Sequence, residues 1–531
     1  MWISHQTKRQ RLLATWDHPA PRFRNFVLIA RYYDLTQAEP AYHRLNDQTW
    51  ADLNGEEVFA QLDTTTSRVG QQCLYQRLRS PLADAEVLAE FDAAAAFFTQ
   101  QPAIRGQALL ALSRLTATEA YYLPDLLPGN ALPPLPGAGA APVLVGLLLA
   151  TLLGGFWLPL LWVGSVALLV TNALFHFWHR SRIMLSIRPV LQVGSLYRVG
   201  RELARLGLPF APLQGLTTPL ARLAAIVSRV ALLQLENQMQ SDMAMAFWLV
   251  LQYIKMVLLL DVLVYGLCRR AVQQQAGAIR AVFEAVGYAD CALAVASFRQ
   301  RCPYCVPAFA PAGAALRLTA AYNPLVAGCV PNNLTMAEAG TLFTGSNMAG
   351  KTTFMRTIGL NALLAQTIAT CPAASYAAPF CRVLSSLNLA DSLPEGKSYY
   401  LVEAEVVLQL IRASEAEPGS YLFLLDELFK GTNTVERIAV TQAVLAYLQP
   451  RSRVVASTHD GELGELLRAQ FSEYHFCETV TATDWYFDYE LKPGPLTTRN
   501  AIRLLARAGY PAAIVQQAQA LSASFEAAAS G

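Results

Sequence analysis

Charge is scarce in this 531-residue chain. Asp, Glu, Lys and Arg make up 15% of it and hydrophobic residues 53%, whereas soluble domains carry about 25% charged residues. Part of the chain is therefore expected in lipid. The shortage is local: none of the four occurs between Asp125 and Arg180. A net charge of +2 does not bear on nucleic acid, because a basic patch can hide in a neutral total. The nine cysteines follow no even spacing, which argues against a disulfide framework and for a reducing compartment. Cys302-Pro-Tyr-Cys305 stands alone. No second pair follows at zinc spacing and no thioredoxin-like unit surrounds it, so it reads as two incidental thiols in a connector. Residues 1–25 are polar and basic (Lys8, Arg9, Arg11, Arg22, Arg24) and do not read as a signal peptide. No internal repeat is visible.

The C-terminal part carries chemistry. Gly345-Ser346-Asn347-Met348-Ala349-Gly350-Lys351-Thr352 fits G-x-x-x-x-G-K-[ST] and is followed by Thr353. Thr341-Leu-Phe-Thr344 before it reads as a buried strand. Lys351 onward reads as a helix with Phe354, Ile358 and Ala362 on one face. Such a loop turns backbone N–H groups and a helix N-terminus toward phosphate. Lys351 is expected to reach the β- and γ-phosphates of ATP and Thr352 to bind Mg²⁺. Tyr421-Leu-Phe-Leu-Leu425 reads as a second buried strand, ending in Asp426-Glu427. Asp426 is placed to hold Mg²⁺ and Glu427 to polarise the attacking water. An acidic helix cap is the plainer reading of that pair, and the loop upstream argues against it. His459 ends the apolar run Val454-Val-Ala-Ser-Thr-His459. A lone histidine there would be structural; beside the other two elements it is expected to sense the γ-phosphate.

The run from Pro142 to Phe177 is almost wholly apolar. A spanning helix takes about 20 residues, so the run suits a tight hairpin over 142–179 that turns near Gly154, Gly155 and Pro159. A second apolar stretch, Met243 to Leu267, contains Lys255 and Asp261, which are costly at that depth. If the flanking segments are both cytosolic, the number of spans is even. The hairpin plus a buried soluble helix at 243–267 satisfies this, and so does one span from each stretch. From Arg180 to Arg229 there are eight Arg and one acid, Glu202. That bias fits the positive-inside rule or anionic lipid better than it fits DNA.

The texture along the chain divides into five blocks. Residues 1–45 form an N-terminal segment. Residues 46–125 read as helical, with a break at Ser80-Pro81 before the Ala-rich Val87–Phe98. Residues 126–182 are the membrane block and 183–315 are helical again, ending in a linker marked by Pro303, Pro307 and Pro311. Residues 316–531 alternate short apolar strands with helices, as an α/β domain does.

The motifs together resemble the MutS family of DNA mismatch-repair ATPases. Thr344-Gly-Ser-Asn-Met-Ala-Gly-Lys-Thr-Thr-Phe-Met-Arg356 looks like the family's T-G-P-N-M-x-G-K-S-T-x-x-R. Asn323-Pro324 resembles its His-Pro, and Asn333-Leu334 its Asn/Asp-Leu. Asp391-Ser-Leu-Pro-Glu-Gly-Lys-Ser-Tyr-Tyr-Leu-Val-Glu403 resembles D-x-L-x-x-G-x-S-[TS]-F-x-x-E. Asp426-Glu-Leu-Phe-Lys-Gly-Thr-Asn-Thr434 resembles D-E-x-x-x-G-T-x-x, and Ser457-Thr-His459 resembles A-T-H. Ala508-Gly-Tyr-Pro511 resembles the start of the C-terminal dimerisation helix–turn–helix. The likeness is dense over about 320–525. It is thinner over Leu62–Leu82, which is similar to the start of the MutS core in its G-x-x-x-L-x-x-x-L-x-x-P-L spacing.

The resemblance implies a P-loop NTPase domain of ABC-like, MutS domain V type. A mostly helical core and lever region would precede it, interrupted by the transmembrane hairpin. It implies a homodimer in which Ser398 of one subunit touches the γ-phosphate held by the other, with Asn347 also on phosphate. ATP binding and hydrolysis would then open and close helical levers on DNA. The 45 residues before the core-like region are too few for the family's mismatch-reading domain with its Phe-x-Glu wedge. Phe471-Ser-Glu473 and Phe476-Cys-Glu478 carry the wedge letters inside the ATPase region and are discounted. Two further functions stay open: a membrane ATPase that remodels a protein or lipid assembly, and an ABC transporter, which the missing L-S-G-G-Q disfavours. The expected location is the cell membrane, multi-pass, with the ATPase domain in the cytoplasm.

Overall fold

The computed structural model describes residues 5–17, 22–128, 132–234, 252–337, 340–345, 349–388, 399–480, 485–496 and, apart from 503, 504 and 507, 502–529. Two compact units account for them. Unit 1 is Met1–Ala41, Phe59–Arg79 and Ala89–Arg301; unit 2 is Tyr42–Val58, Ser80–Leu88 and Cys302–Gly531.

Unit 1 is helical. Its long elements are Arg68–Arg79, Leu161–Arg205, Thr217–Gln234 and Leu260–Arg301. Apolar positions at helical spacing, such as Val69, Leu74 and Leu78 against Ile279, Phe283 and Val286, are fully buried. The helix Arg68–Arg79 stops where Ser80-Pro81 follows, since the residue before a proline avoids the α region. Its first turn is held by Asp290, whose carboxylate accepts from Thr66 N (2.9 Å), Ser67 N (2.7 Å) and Ser67 Oγ (2.6 Å).

Within unit 1, Ala141–Gly154 and Leu161–Arg205 form a helical hairpin turning over 155–160. Ser165 Oγ donates to Thr151 Oγ1 across it at 3.0 Å. Its outward side chains are apolar: Trp157 is 81% and Leu160 79% exposed, and Val143, Leu147, Leu153, Val163, Val166, Val170 and Leu174 are also exposed. Of the second apolar stretch, 243–251 lies outside the described residues. From 252 onward the chain is helical. Lys255 is buried with its Nζ 3.6 Å from Asp261 Oδ1, and the helix Leu260–Arg301 lies mostly inside the protein.

Unit 2 is α/β. Its strands in chain order are β1 (Ala308–Phe309), β2 (Leu316–Ala321), β3 (Asn332–Met336), β4 (Gly340–Thr344), β5 (Ser375–Ala378), β6 (Arg382–Ser386), β7 (Tyr421–Asp426), β8 (Arg453–Ser457), β9 (Phe471–His475), β10 (Glu478–Val480), β11 (Trp485–Phe487) and β12 (Lys492–Pro493). Among the described residues the main sheet runs β12-β9-β4-β8-β7-β6. It is parallel except for β12, and a smaller sheet runs β1-β5-β2-β3. β4 is buried at all five positions, as a central parallel strand should be. β4 leads into the helix Lys351–Ile368, which is buried on nearly every side. The expected strand and helix thus form on either side of the motif.

The segment Tyr42–Val58 also belongs to unit 2, where the sequence reads only as the start of a helical block. Asp52 on its helix Asp47–Asp52 is buried. Its carboxylate accepts from Ser385 Oγ (2.6 Å), Leu387 N (2.9 Å), Asn388 N (2.9 Å) and Gln48 Nε2 (3.0 Å). Its carbonyl accepts from Arg356 Nε at 2.8 Å. One residue thereby ties the Lys351–Ile368 helix to the end of β6.

Candidate nucleotide site

The C-terminal ends of β4, β7 and β8 bring together residues far apart in sequence. This is where parallel α/β sheets bind ligands. Gly345 leaves β4 with φ +127°, and a Cβ there would lie 2.2 Å from Phe476 O. Only glycine tolerates both the backbone and the approach. Gly350, at φ +105°, precedes the helix that begins with Lys351. Ser346, Asn347 and Met348 lie outside the described residues, as does Ser398. Ala349 is buried and Thr353 lines the cavity described below.

Lys351 is fully buried. Its Nζ donates to the Gly345 carbonyl and stands 3.9 Å from Glu427 Oε1. Burial lowers its ammonium to about 8, against the opposing pull of Glu427 and Asp426. Thr352 Oγ1 donates to Asp426 Oδ2 at 2.7 Å, and Ser457 Oγ donates to Asp426 Oδ1. Among the described residues no cluster of three or more His, Cys, Asp and Glu could hold a metal by itself. A hydroxyl and a carboxylate in contact are nevertheless an all-oxygen donor pair of the kind Mg²⁺ takes when phosphate and water complete its shell.

Glu427 follows β7 in the left-handed region at φ 48°, as does Phe429 at φ 60°. Such backbone is disfavoured for these residues and clusters at functional sites. It turns the Glu427 carboxylate toward His459, whose Nε2 is 2.5 Å from Oε1, and toward Lys430, whose Nζ is 2.9 Å from Oε2. Burial would raise this carboxyl, but the hydrogen bonds from His459 and Lys430 outweigh it and hold it down to about 2. Glu403 fixes the same turn by accepting from Phe429 N at 2.5 Å.

Three features escape the sequence. Arg437 grips Asp460 with two bonds, Nε–Oδ2 at 3.0 Å and Nη2–Oδ1 at 2.6 Å, beside His459. A cavity of about 100 Å³ between Glu427, Lys430, Arg437 and His459 opens there. A second cavity of about 330 Å³ adjoins the loop and is walled by Gly350, Thr353, Phe354, Phe476, Tyr489 and Asn332. Asn332 on β3 is set by the connection between β11 and β12, donating to Tyr489 O (2.9 Å) and accepting from Leu491 N (2.7 Å). No local pattern links Asn332 to 476 and 489, because the cavity is assembled from segments far apart in the sequence.

Unit 2 is thus an α/β domain whose central parallel strands gather a buried lysine, a threonine hydroxyl and two carboxylates at one edge. Residues 341–526 match the family described as MutS domain V. The chain is 34% identical over 258 residues to the DNA mismatch repair protein MutS of Thermus aquaticus, covering 48% of this chain and 31% of that protein. It is 30% identical over 267 residues to the MutS of Natronomonas pharaonis, with the same shares. It is 32% identical over 193 residues to DNA mismatch repair protein MutS 2 of Haloarcula marismortui, covering 35% of this chain and 20% of that one. The chain therefore spans less than a third of the length of these curated relatives. Residues 341–526 thus form a region similar to MutS domain V.

Proposed function

We propose that unit 2 binds ATP with Mg²⁺ and hydrolyses it, and that a homodimer of the chain uses this cycle to switch a clamp on DNA. The observation that carries the reading is the meeting of Thr352 and Asp426 at 2.7 Å beside the buried Lys351 and the Glu427–His459 pair. Phosphates would lie along the loop ending at Gly350, where the helix N-terminus adds positive potential. Lys351 exchanges the Gly345 carbonyl for a phosphate oxygen. Thr352 and Asp426 hold Mg²⁺, which when bound neutralises charge on the phosphates. Glu427 is too acidic to be a strong base, so it orients and polarises the water, with His459 holding the carboxylate and sensing the γ-phosphate. The 330 Å³ cavity takes the base between Phe476, Phe354 and Tyr489. Asn347 touches phosphate, and Ser398 completes the partner's site. Lys351→Ala is expected to abolish ATP binding, measured by titration with a fluorescent nucleotide; undiminished affinity would remove this reading.

The DNA-acting part rests on the relatives, which are DNA mismatch repair proteins by name. The membrane part rests on the exposed apolar hairpin, a contiguous surface that water-facing domains avoid. Its first arm has 14 residues, about 21 Å of helix, against a hydrocarbon core of about 30 Å. The Phe156–Leu160 turn then sits within the far leaflet, and both ends return to the cytoplasmic side, where Arg180 and Arg182 meet the headgroups. The same hairpin favours the second reading, a membrane ATPase that remodels a protein or lipid assembly without DNA. DNA binding by the detergent-solubilised chain, weakening steeply with added salt, supports the first reading; no binding at low salt leaves the second.

A further inference from the structure

The Cys-Pro-Tyr-Cys motif does not behave as a pair in the folded chain. Cys302 contacts the hydroxyl of Tyr322, which itself donates to Pro303 O at 2.6 Å. Cys305 turns the other way and faces Cys371, 66 positions along the chain. The two residues form an antiparallel bridge with both backbone bonds made: Cys305 N to Cys371 O at 3.0 Å and Cys371 N to Cys305 O at 2.9 Å. Residues paired in this way have Cα atoms about 5.5 Å apart, inside the range of about 4.4–6.8 Å that a disulfide spans. Neither is in a disulfide, and Cys371 is buried while Cys305 is half-buried.

We propose that Cys305 and Cys371 are a reversible dithiol that closes to a disulfide across unit 2, with Cys305 as the attacking sulfur. The environment of Cys305 favours its thiolate. The Cys371 thiol, which also reaches Asn361 O at 3.8 Å, is its first hydrogen-bond partner, and although burial opposes ionisation, the backbone N–H of Tyr376 supports the charged form as well, so its pKa falls below the usual thiol value. The oxidant is a low-molecular-weight disulfide. The Cys305 thiolate attacks one sulfur of it, breaking that S–S bond and forming a mixed disulfide while one small thiolate leaves. The Cys371 sulfur, having lost its proton to solvent, attacks the Cys305 sulfur and expels the second small thiolate. Both leaving thiolates take up protons, so two protein thiols are oxidised and one small disulfide is reduced to two thiols. The bond joins the segment just before β1 to the residue three positions past the Lys351–Ile368 helix. Oxidation therefore pins the far end of the helix whose near end carries Lys351. The inference does not depend on what that lysine binds.

The test uses the full chain in detergent, incubated with glutathione disulfide, quenched in acid, unfolded, alkylated and mapped by mass spectrometry. Alkylation is expected to be lost at Cys305 and Cys371 together and retained at Cys302. The two should lie in one linked peptide pair that dithiothreitol separates. In Cys371→Ala, Cys305 should retain glutathione as a mixed disulfide. In Cys305→Ala, Cys371 should remain a thiol. A Cys302–Cys305 link in the wild-type chain, or full alkylation of Cys305 and Cys371 after oxidation, overturns the proposal.

Discussion

His459 Nε2 lies 2.5 Å from Glu427 Oε1, on a residue whose backbone is held at φ 48°. Two strand ends, β7 and β8, are thereby joined at the one point where a water would be oriented. Replacing Glu427 by Gln keeps the shape and removes the charge. ATP binding should persist while steady-state hydrolysis slows by about 10²-fold or more. Turnover near the wild-type rate in a phosphate-release assay would show that another group orients the water.

Nucleotide affinity should depend on pH through Lys351. The charged ammonium is the phosphate-binding form, and in the free protein it loses its proton as pH rises through about 8. Bound phosphate restores the charge, so above pH 8 binding takes up a proton. Affinity is then flat below about pH 7 and falls toward tenfold per pH unit above 8. Isothermal titration in two buffers of different ionisation enthalpy checks the proton uptake, which should vanish in neutral and acidic solution.

The hairpin predicts the fraction in which the protein is found. The intact chain should stay with membranes after a carbonate wash, and deletion of residues 142–179 should release it while nucleotide binding survives. Release of the intact chain by carbonate would mean that the apolar surface is covered by protein instead.

Unit 1 offers a pair of glycine substitutions with opposite signs. A Cβ on Gly70 would stand 2.1 Å from Asp290 Oδ2, the group that caps its own helix, whereas nothing lies within 4 Å of a Cβ on Gly266. Gly70→Ala is expected to destabilise by about 1–3 kcal/mol through overpacking. Gly266→Ala should be neutral or stabilise by up to about 1 kcal/mol through helix propensity. Thermal melts of the two variants should move apart.

Mixing tests the composite site. On the proposed function, Lys351→Ala chains should not bind ATP and Ser398→Ala chains should not complete a partner's site. A mixed dimer holds one sound Lys351 facing one sound Ser398, so part of the ATPase activity returns. No recovery at any mixing ratio would place Ser398 on its own subunit's nucleotide.

The passage from β4 into the Lys351–Ile368 helix is readable in sequence because the motif sets particular residues at fixed spacing along one stretch: Gly345 for its backbone, Lys351 for its charge, Thr352 for its hydroxyl. Asp426-Glu427 is readable for the same reason, being adjacent to an apolar strand. The Arg437–Asp460 grip and the Asn332–Tyr489 wall are not, because each joins side chains and backbone that only the folded chain brings together. Nor is the membership of Tyr42–Val58 in unit 2. Asp52 looks like an ordinary helix carboxylate until the strand ending at Ser386 supplies its donors. Cys305 shows the same blind spot: sequence proximity points to Cys302, and the strand bridge points to Cys371.

The helix Leu161–Arg205 is a single element of 45 residues, about 68 Å at 1.5 Å per residue. Its first half carries the outward apolar face, while Val190, Val193, Leu196, Val199 and Leu203 on its second half are buried in the helical core. No linker separates the two halves, so the hairpin is not a tether on which unit 1 can tumble. It is the continuation of a core rod, and any tilt imposed on one half is imposed on the other. Pro189, which removes one rung of the backbone ladder, is where such a rod bends most easily.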